Sequence, residues 1–368
     1  MNMRIPRSDT QRKAPERSWK EIAVGACLDK VARRRFGLRL SISFRASPMH
    51  GRFFPWLALL LAVALRGEVS RAAEPESTPF RIGFSRQLFT EVNINDAKAS
   101  VKAWAQTVAR ERDIPVEAEP AVLDGTVPMQ QALAERKLDA LALTSAEFRS
   151  LSREVKFDPI FLALQNRRTN VEYLLLVPSA SDIRTLGDLR GRSLACYENA
   201  RTSLALLWLD TQLAQQGCPG TTQWVSRITR LNKVSAAVLP VFFRQMDACL
   251  VDRGSFETMC ELNPQVGKRL EVRAASAPLV PMLFCLRGDY SPQLKPRIVS
   301  ALRDLHTTAA GQQVLTVFQM ERLMISPLSC LDSALELLAS QDRLLGETNR
   351  TQISPARQTP GAAKGGTP

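Results

Sequence analysis

The apolar residues of this chain switch repeatedly between strand spacing and helix spacing. Residues 80–84 alternate apolar and polar side chains, which predicts a β-strand. Residues 94–108 place apolar side chains at steps of three and four, which predicts a helix with one buried face. Further strands are predicted at 116–122 and 138–143, and the helix between them has Pro128 in its first turn. This β-α-β-α-β order predicts a parallel sheet with right-handed crossovers.

A second alternating segment occupies residues 185–272. Its predicted strands and helices are, in order, the strand 193–197, the helix 201–215, the strand 224–228, the helix 233–245, the strand 247–251 and a helix from Ser255. Strand-type residues at 160–178 are interrupted by the polar stretch 165–169, and a further strand is predicted at 282–286. Helices are predicted after it at about 293–309, 311–318 and 330–345. The pattern therefore predicts two α/β units.

The net charge of +13 does not indicate a nucleic-acid-binding protein. The first 72 residues hold 15 of the 49 Lys and Arg residues and 5 of the 36 Asp and Glu residues. The remainder has 34 basic against 31 acidic residues, a net charge of +3. The basic excess belongs to the leader, so we expect no nucleic-acid partner.

The leader has two parts. Residues 1–48 are basic without apolar periodicity, and we interpret them as a non-native or disordered extension ahead of Met49. Residues 49–72 have the layout of a signal peptide, with the apolar core 53–65 and small residues before a cleavage point after Ala72. The core is short for a membrane span, although a retained N-terminal anchor stays an alternative. We therefore expect a periplasmic protein.

The residues after the leader contain little that indicates catalysis. They include one histidine, His306, and no CxxC pair, so the sequence favours neither a Ser-His-Asp triad nor a zinc site. They also lack the glycine-rich phosphate-binding motifs. Six cysteines remain, and both disulfides and buried thiols stay open. We expect a protein that is not an enzyme and has no cofactor and no metal.

The segment 186–204 carries the most specific motif. Its sequence resembles the anion motif LxDLkGkxvAfxDPxSTSGYLxP of the phosphate/phosphonate-type periplasmic substrate-binding proteins of ABC transporters. The matching positions are Leu186, Asp188, Leu189, Gly191, Ala195, Thr202 and Ser203, with Glu198 at the motif's aspartate. Three positions depart from the motif, since Asn199, Arg201 and Leu204 replace its proline, first serine and glycine. The resemblance extends, with gaps, from about Phe80 to about Pro327.

The resemblance implies an α/β, two-lobe type 2 periplasmic-binding-protein fold. Each lobe is then a β/α sandwich, and two crossover hinge segments join the lobes. We expect the first lobe at 80–170 plus 280–345 and the second at 171–279. The final segment, 346–368, is rich in Gly, Pro and Thr, which predicts a disordered tail. Ligands on such folds bind beyond the carboxyl ends of the strands, where both lobes face one cleft.

Candidate site residues follow the predicted strands or belong to the motif. The candidate ligand-binding residues are Ser85, Thr144, Ser145, Tyr173, Arg201, Thr202, Ser203 and Asp252. Most of them have a structural alternative. Thr144 with Glu147 forms a helix capping box, Asp252 and the motif hydroxyls are suited to helix N-caps, and Tyr173 suits a half-buried strand. Arg201 suits bidentate binding of an anion, and it could also point to solvent.

The leading hypothesis is a periplasmic solute-binding protein, a monomer, that closes on a small anionic or zwitterionic ligand for an ABC permease. The alternative is a sensor module that presents its ligand to a membrane signalling protein. An enzyme with a related fold, such as porphobilinogen deaminase, is the weakest hypothesis. That enzyme needs a cysteine that carries its cofactor.

The signal-peptide interpretation predicts export and cleavage. The protein recovered from cells should begin near Ala73 and lie in the periplasmic fraction, because the apolar core at 53–65 would direct secretion. N-terminal sequencing of the fractionated protein checks this. An intact chain from Met1 in the cytoplasm would contradict it.

Overall fold

The structure is a computed structural model that describes residues 79–353, with side-chain surroundings described as far as residue 344. The described residues belong to one compact unit, 73–368. The predictions for residues 1–48, the signal peptide at 49–72 and the end of the tail lie outside the described residues. In the described part of the chain, none of the helices is both long enough and apolar enough to cross a membrane.

The first lobe is built on a six-stranded mixed sheet. Its strands are β1 (Ile82–Ser85), β2 (Ala121–Leu123), β3 (Ala140–Thr144), β4 (Phe157–Leu164), β10 (Met282–Arg287) and β11 (Arg322–Ser326). Their spatial order is β11-β4-β10-β3-β1-β2. Strands β2, β1 and β3 run parallel, whereas β10 is antiparallel to both β3 and β4. β1 is buried along its whole length, as is typical of a parallel strand covered on both faces.

Five helices flank this sheet. They are α1 (Ile94–Arg112), α2 (Thr126–Ala134), α3 (Ser145–Leu151), α9 (Lys295–Arg303) and α10 (Ala309–Val317). Helix α1 begins where the Asn93 side chain accepts hydrogen bonds from the backbone amides of Asn95 and Asp96. One face of the sheet packs on α1, α9 and α10, and the other packs on α2 and α3.

The second lobe is built on a five-stranded sheet. Its strands are β5 (Tyr173–Pro178), β6 (Ser193–Tyr197), β7 (Arg227–Leu231), β8 (Ala248–Asp252) and β9 (Leu270–Ala275). Their order is β7-β6-β8-β5-β9. Its helices are α4 (Ala205–Gln215), α5 (Thr221–Trp224), α6 (Val234–Phe242), α7 (Arg253–Leu262) and α8 (Pro264–Arg269). The helices again lie on both faces, so each lobe is a three-layer sandwich.

Two backbone segments and one helix connect the lobes. The chain leaves the first lobe between β4 and β5 and returns between β9 and β10, and these two segments pair at Val171 and Leu279. After β11, helix α11 (Asp332–Ile353) packs on the second lobe through Ala334, Leu337 and Leu338. Helix α11 therefore adds a third contact between the lobes. It also runs past Gly346, where the sequence predicted a disordered tail, because a helix that has already formed extends cheaply by one hydrogen bond per residue.

The sequence misplaced several element ends. The helix predicted from Arg201 begins as α4 at Ala205, preceded by a short 3₁₀ turn at Ala200–Thr202. The strand predicted at 224–228 is β7 at Arg227–Leu231, and Trp224 ends helix α5 instead. The strands β9 and β11 were not predicted, and both lie at the edges of their sheets. His306 lies exposed in a 3₁₀ turn rather than on a helix.

The six cysteines of the described residues are free thiols. Cys196, Cys249 and Cys285 are buried in β6, β8 and β10, which agrees with the buried-thiol alternative. Burial raises the pKa of Cys196 to about 12, so its thiol stays protonated and unreactive at neutral pH.

Candidate functional site

The turn between β6 and α4, residues 197–204, faces the first lobe. Asn199 shapes this turn, since its Oδ1 accepts hydrogen bonds from the backbone amides of Arg201 (2.9 Å) and Thr202 (3.0 Å). The Thr202 hydroxyl in turn accepts a hydrogen bond from the backbone amide of Asn199 at 2.8 Å. These bonds close a 3₁₀ turn and delay α4, whose cap residue Leu204 offers no side-chain hydrogen bond. The first amides of the turn are therefore already bonded within the protein.

The same turn binds directly to the first lobe at Glu91. The Tyr197 hydroxyl donates to Glu91 Oε1 at 2.6 Å, and Asn199 Nδ2 donates to Glu91 Oε2 at 3.2 Å. The Ala200 amide donates to the Thr90 hydroxyl at 3.1 Å. Burial, reinforced by the Glu91 carboxylate, raises the pKa of Tyr197 well above its usual range, so the hydroxyl remains a donor. We call these five contacting residues, Thr90, Glu91, Tyr197, Asn199 and Ala200, the inter-lobe latch.

Arg201 extends from the turn toward the segment that joins the lobes. Its guanidinium donates to Gln165 Oε1, and the side chain is half-buried. Its backbone carbonyl accepts a 2.8 Å hydrogen bond from the hydroxyl of Tyr173, which is completely buried. Burial raises the pKa of Tyr173 well above its ordinary value. Tyr173 therefore positions Arg201 from inside the second lobe.

A polar cavity of about 320 Å³ lies beside Arg201. Charged side chains from the connecting segment and helix α7 line it, and two ion pairs neutralise several of them. Arg253 Nε lies 2.7 Å from Glu172 Oε2, and Arg168 Nη1 lies 3.6 Å from Glu257 Oε2. The remaining polar wall includes Arg201 itself. Among the described residues, the hydrogen-bond partner of the Arg201 guanidinium is thus the neutral side-chain amide of Gln165.

Asp252 lines this polar cavity, and one of its carboxylate oxygens has no hydrogen-bond partner among the described residues. The residue is 3% exposed at the end of β8. Its Oδ1 caps α7 by accepting from the Ser255 amide at 2.9 Å. Its Oδ2 is buried without a hydrogen-bond partner among the described residues. A buried carboxylate oxygen without a partner is costly, so it marks a place where a ligand group could bind.

An apolar cavity of about 160 Å³ lies on the other side of Arg201, inside the first lobe. Its wall is the face of the first sheet that packs against α1 and α10, including Phe84, Trp104 and Phe318. Its lining also includes Glu91 and Asn199 of the latch. Arg201 therefore lies in the walls of two cavities of opposite character.

The serine and threonine candidates of the first lobe form a separate buried cluster. The Glu147 carboxylate accepts hydrogen bonds from the Ser85 hydroxyl at 2.7 Å and from the Thr144 amide and hydroxyl, each at 2.9 Å. The predicted capping box of Thr144 and Glu147 is confirmed. The Ser145 hydroxyl donates to the Val280 carbonyl. The polar groups of these residues are thus already paired within the protein.

Of the eight candidate residues, four lie together at the cleft: Tyr173, Arg201, Thr202 and Asp252. Arg201 and Asp252 line a cavity, whereas Tyr173 and Thr202 are buried behind it. Ser85, Thr144 and Ser145 belong to the separate cluster. Ser203 is exposed and does not cap α4.

Sequence reasoning missed Glu91, Gln165 and Tyr197 as site residues, and treated Asn199 only as a departure from the motif. Only Asn199 carried a local signal, since a side chain that accepts from the backbone amides two and three residues ahead is typical of asparagine at a turn. Glu91 and Gln165 come from distant parts of the chain. Among the described residues, no group of three or more His, Cys, Asp or Glu side chains is arranged to hold a metal ion.

The architecture is that of known two-lobed binding proteins. The structure of XAC2383 from Xanthomonas citri bound to ATP has a TM-score of 0.54 at 15% identity, covering 73% of this chain and 99% of that one. The structure of PhnD1 from Prochlorococcus marinus in complex with methylphosphonate has a TM-score of 0.49 at 15% identity, covering 73% and 98%. This chain has the type 2 periplasmic-binding-protein fold. At these identities the likeness concerns the fold alone.

The family follows from the sequence match. The profile described as "ABC transporter, phosphonate, periplasmic substrate-binding protein" matches residues 91–325, which is more than half of the chain. The chain belongs to this family, whose members are periplasmic components of transporters and not enzymes. No curated protein matches the chain.

The inter-lobe latch predicts that removing its hydrogen bonds opens the ligand-free protein. A hydrogen bond to a carboxylate such as that of Glu91 contributes about 1.5–3 kcal/mol, which shifts an open–closed equilibrium roughly tenfold or more. Tyr197→Phe and Glu91→Ala should therefore increase the radius of gyration measured by small-angle scattering. Tyr290→Phe is the matched control, since the Tyr290 hydroxyl has no partner among the described residues. Equal radii for all three variants and the wild type would show that the latch does not hold the lobes together.

Proposed function

We propose that this protein is a periplasmic receptor that closes on a small anionic or zwitterionic ligand and delivers it to an ABC permease. The observation that carries the proposal is that one polar cavity is lined both by Arg201 and by Asp252, whose carboxylate has an oxygen without a hydrogen-bond partner among the described residues. Membership of the phosphonate family supports a phosphonate-like head group. We further propose that the protein works as a monomer without nucleic acid.

Arg201 is suited to the anionic head of the ligand. A guanidinium binds a phosphonate, sulfonate or carboxylate through two parallel hydrogen bonds, and it keeps its charge at every physiological pH. Its present partner, the neutral amide of Gln165, is exchangeable for a charged one. The Tyr173 bond to the Arg201 carbonyl holds the backbone in place, so little ordering is needed when the anion arrives.

The turn offers an anion fewer backbone donors than the family motif does. Thr202 is 5% exposed; its hydroxyl accepts from the Asn199 backbone amide, and its own backbone amide donates to Asn199 Oδ1. Leu204 stands where the motif has glycine. The Leu204 side chain packs in the core of the second lobe and lines neither cavity. The anion is therefore bound mainly by a side chain, Arg201, instead of by a row of amides and hydroxyls.

Asp252 supports a ligand that also carries a cationic group. A buried carboxylate without a partner destabilises the empty site, and an ammonium group would supply the missing hydrogen bond and charge. Asp252 Oδ1 is committed to the cap of α7, which fixes the carboxylate plane and leaves Oδ2 for the ligand. The family resemblance also places an acidic residue near this position, where it meets a ligand amine.

The ligand class can be found by thermal-shift screening of the protein with phosphonates, phosphate, sulfonates, amino acids and thiamine precursors. A ligand that binds only the folded state stabilises it by about 2.7 kcal/mol at a hundredfold excess over its dissociation constant. The ligands that stabilise the protein are then titrated against variants of Arg201 and Asp252.

Arg201→Ala should weaken binding of a phosphonate such as methylphosphonate by roughly tenfold or more. Hydrogen bonds to charged groups contribute about 1.5–3 kcal/mol, and about 1.4 kcal/mol is one decade of affinity. Calorimetric titration measures the change. Arg227→Ala is the matched control, because Arg227 is exposed on β7 and lines neither cavity. If both variants bind like the wild type, Arg201 is not the anion-binding residue.

Asp252→Asn should separate zwitterionic from purely anionic ligands. The variant keeps an oxygen to cap α7 but removes the negative charge, so aminomethylphosphonate should bind roughly tenfold less tightly while methylphosphonate should not weaken. Melting temperatures of the ligand-free proteins check that the fold survives. A parallel loss for both phosphonates would place the role of Asp252 in the fold and not in recognition of an amine.

A further inference from the structure

We propose that the ligand site continues into the apolar cavity of the first lobe, so that the bound molecule is an amphiphilic anion. The anionic head would lie at Arg201, and an apolar group about the size of a benzene ring or a short alkyl chain would fill the cavity. This inference rests on the proposed function, since it takes the head-group site at Arg201 as given.

The cavity exists because two alanines stand where the sheet has room for larger side chains. Ala142 lies on β3 and Ala163 on β4, and the same face of the sheet carries Phe84 on β1 and Phe284 on β10. Ala142 and Ala163 stay only partly buried, although both belong to interior strands of a sheet covered by helices. Their exposed surface faces the cavity, which both residues line.

The size and chemistry of the cavity suit an apolar group. Protein cores contain few spaces larger than a water molecule, and an empty space destabilises the fold in proportion to its volume. A cavity of about 150 Å³ lined by Leu, Ile and Phe is known to stay dry and to bind benzene, and this one measures about 160 Å³. Most of the residues that line it are apolar, with Phe84, Phe284 and Leu305 typical of them. An apolar occupant would stabilise it.

The position of the cavity connects that occupant to the anion site. Arg201 and Gln165 line both the apolar and the polar cavity. Several polar residues that line the apolar cavity belong to the latch or to the connecting segment, among them Glu91, Gln165 and Asn199, and Arg201 is the cationic residue of its lining. A molecule with its charged end at the Arg201 guanidinium can therefore direct its apolar end inward without burying a charge.

The experiment keeps the head group constant and varies the apolar part. Wild-type protein is titrated by calorimetry with methyl-, propyl-, pentyl- and phenylphosphonate. Each buried methylene should improve affinity by about fourfold until the cavity is full, and phenylphosphonate should bind much more tightly than methylphosphonate. If methylphosphonate binds and the longer members bind no better, the cavity is not part of the site, while the proposed function stands.

Cavity-filling variants locate the effect. In Ala142→Leu, and independently in Ala163→Leu, the gain with chain length should disappear, because the added side chain occupies the space. Ala146→Leu is the matched control, since Ala146 is exposed on α3, and it should keep the full gain. The melting temperature of each variant shows whether it is folded. If one filling variant does not fold, the other still tests the proposal. A full chain-length gain in a folded filling variant would overturn the proposal.

Failure of the proposed function has a different signature. If no phosphonate binds, methylphosphonate included, the head-group assignment is contradicted. The cavity is then tested by itself with benzene. Stabilisation of the wild type but not of Ala142→Leu would support an apolar ligand chamber, and no stabilisation of the wild type would overturn it.

Discussion

The side-chain amide of Asn199 is the contact on which the site depends. Its oxygen accepts from the amides of Arg201 and Thr202, which folds the turn after β6. Its nitrogen donates to Tyr197 at 2.8 Å and to Glu91 of the first lobe at 3.2 Å. One amide group therefore shapes the turn, aims Arg201 and joins the two lobes. Alanine at this position would remove every one of these bonds at once.

The consequence of this arrangement is a cleft that is already closed at one point. In the latch, the donors of Tyr197 and Asn199 are already bonded to a carboxylate of the protein itself, that of Glu91. Beyond the latch, Arg201 remains available between a polar cavity with an unpaired acidic oxygen and an apolar cavity in the first lobe. Helix α11 packs on the second lobe as well as following β11, so lobe motion must accommodate three connections. The proposed recognition therefore relies on side chains that surround an already formed cavity.

Much of the fold could be predicted from the sequence, because buried strands and amphipathic helices leave periodic patterns. Helix α1 and strand β6 were found at or near their observed positions. The failures concentrate at sheet edges, where β7 was shifted and β9 and β11 were missed. Edge strands carry more polar residues and pair on one side only, so their pattern is weak. In β9 the sequence Leu270–Ala275 is largely exposed.

The site was harder to predict than the fold. The motif placed Arg201 near the cleft, the end of a predicted strand placed Asp252 there, and both residues line a cavity. Local spacing could not show that Asn199 would cap a 3₁₀ turn and delay α4, since that turn is completed by the distant Glu91. Nor could it show that the hydroxyls of Ser85 and Thr144 would be taken by Glu147. The cavity at Ala142 and Ala163 depends on the packing of three helices and five strands, which no single segment encodes.

Hydrogen exchange tests the central claim, that ligand binds at Arg201 between the lobes. Backbone exchange is measured by mass spectrometry with and without saturating methylphosphonate, or with the best ligand of the thermal-shift screen. The account predicts slower exchange in the connecting segment 165–172 and in the turn 197–204, while the exposed surface of the second lobe around 222–227 stays unchanged. Protection confined to other segments, with binding confirmed by calorimetry, would contradict it.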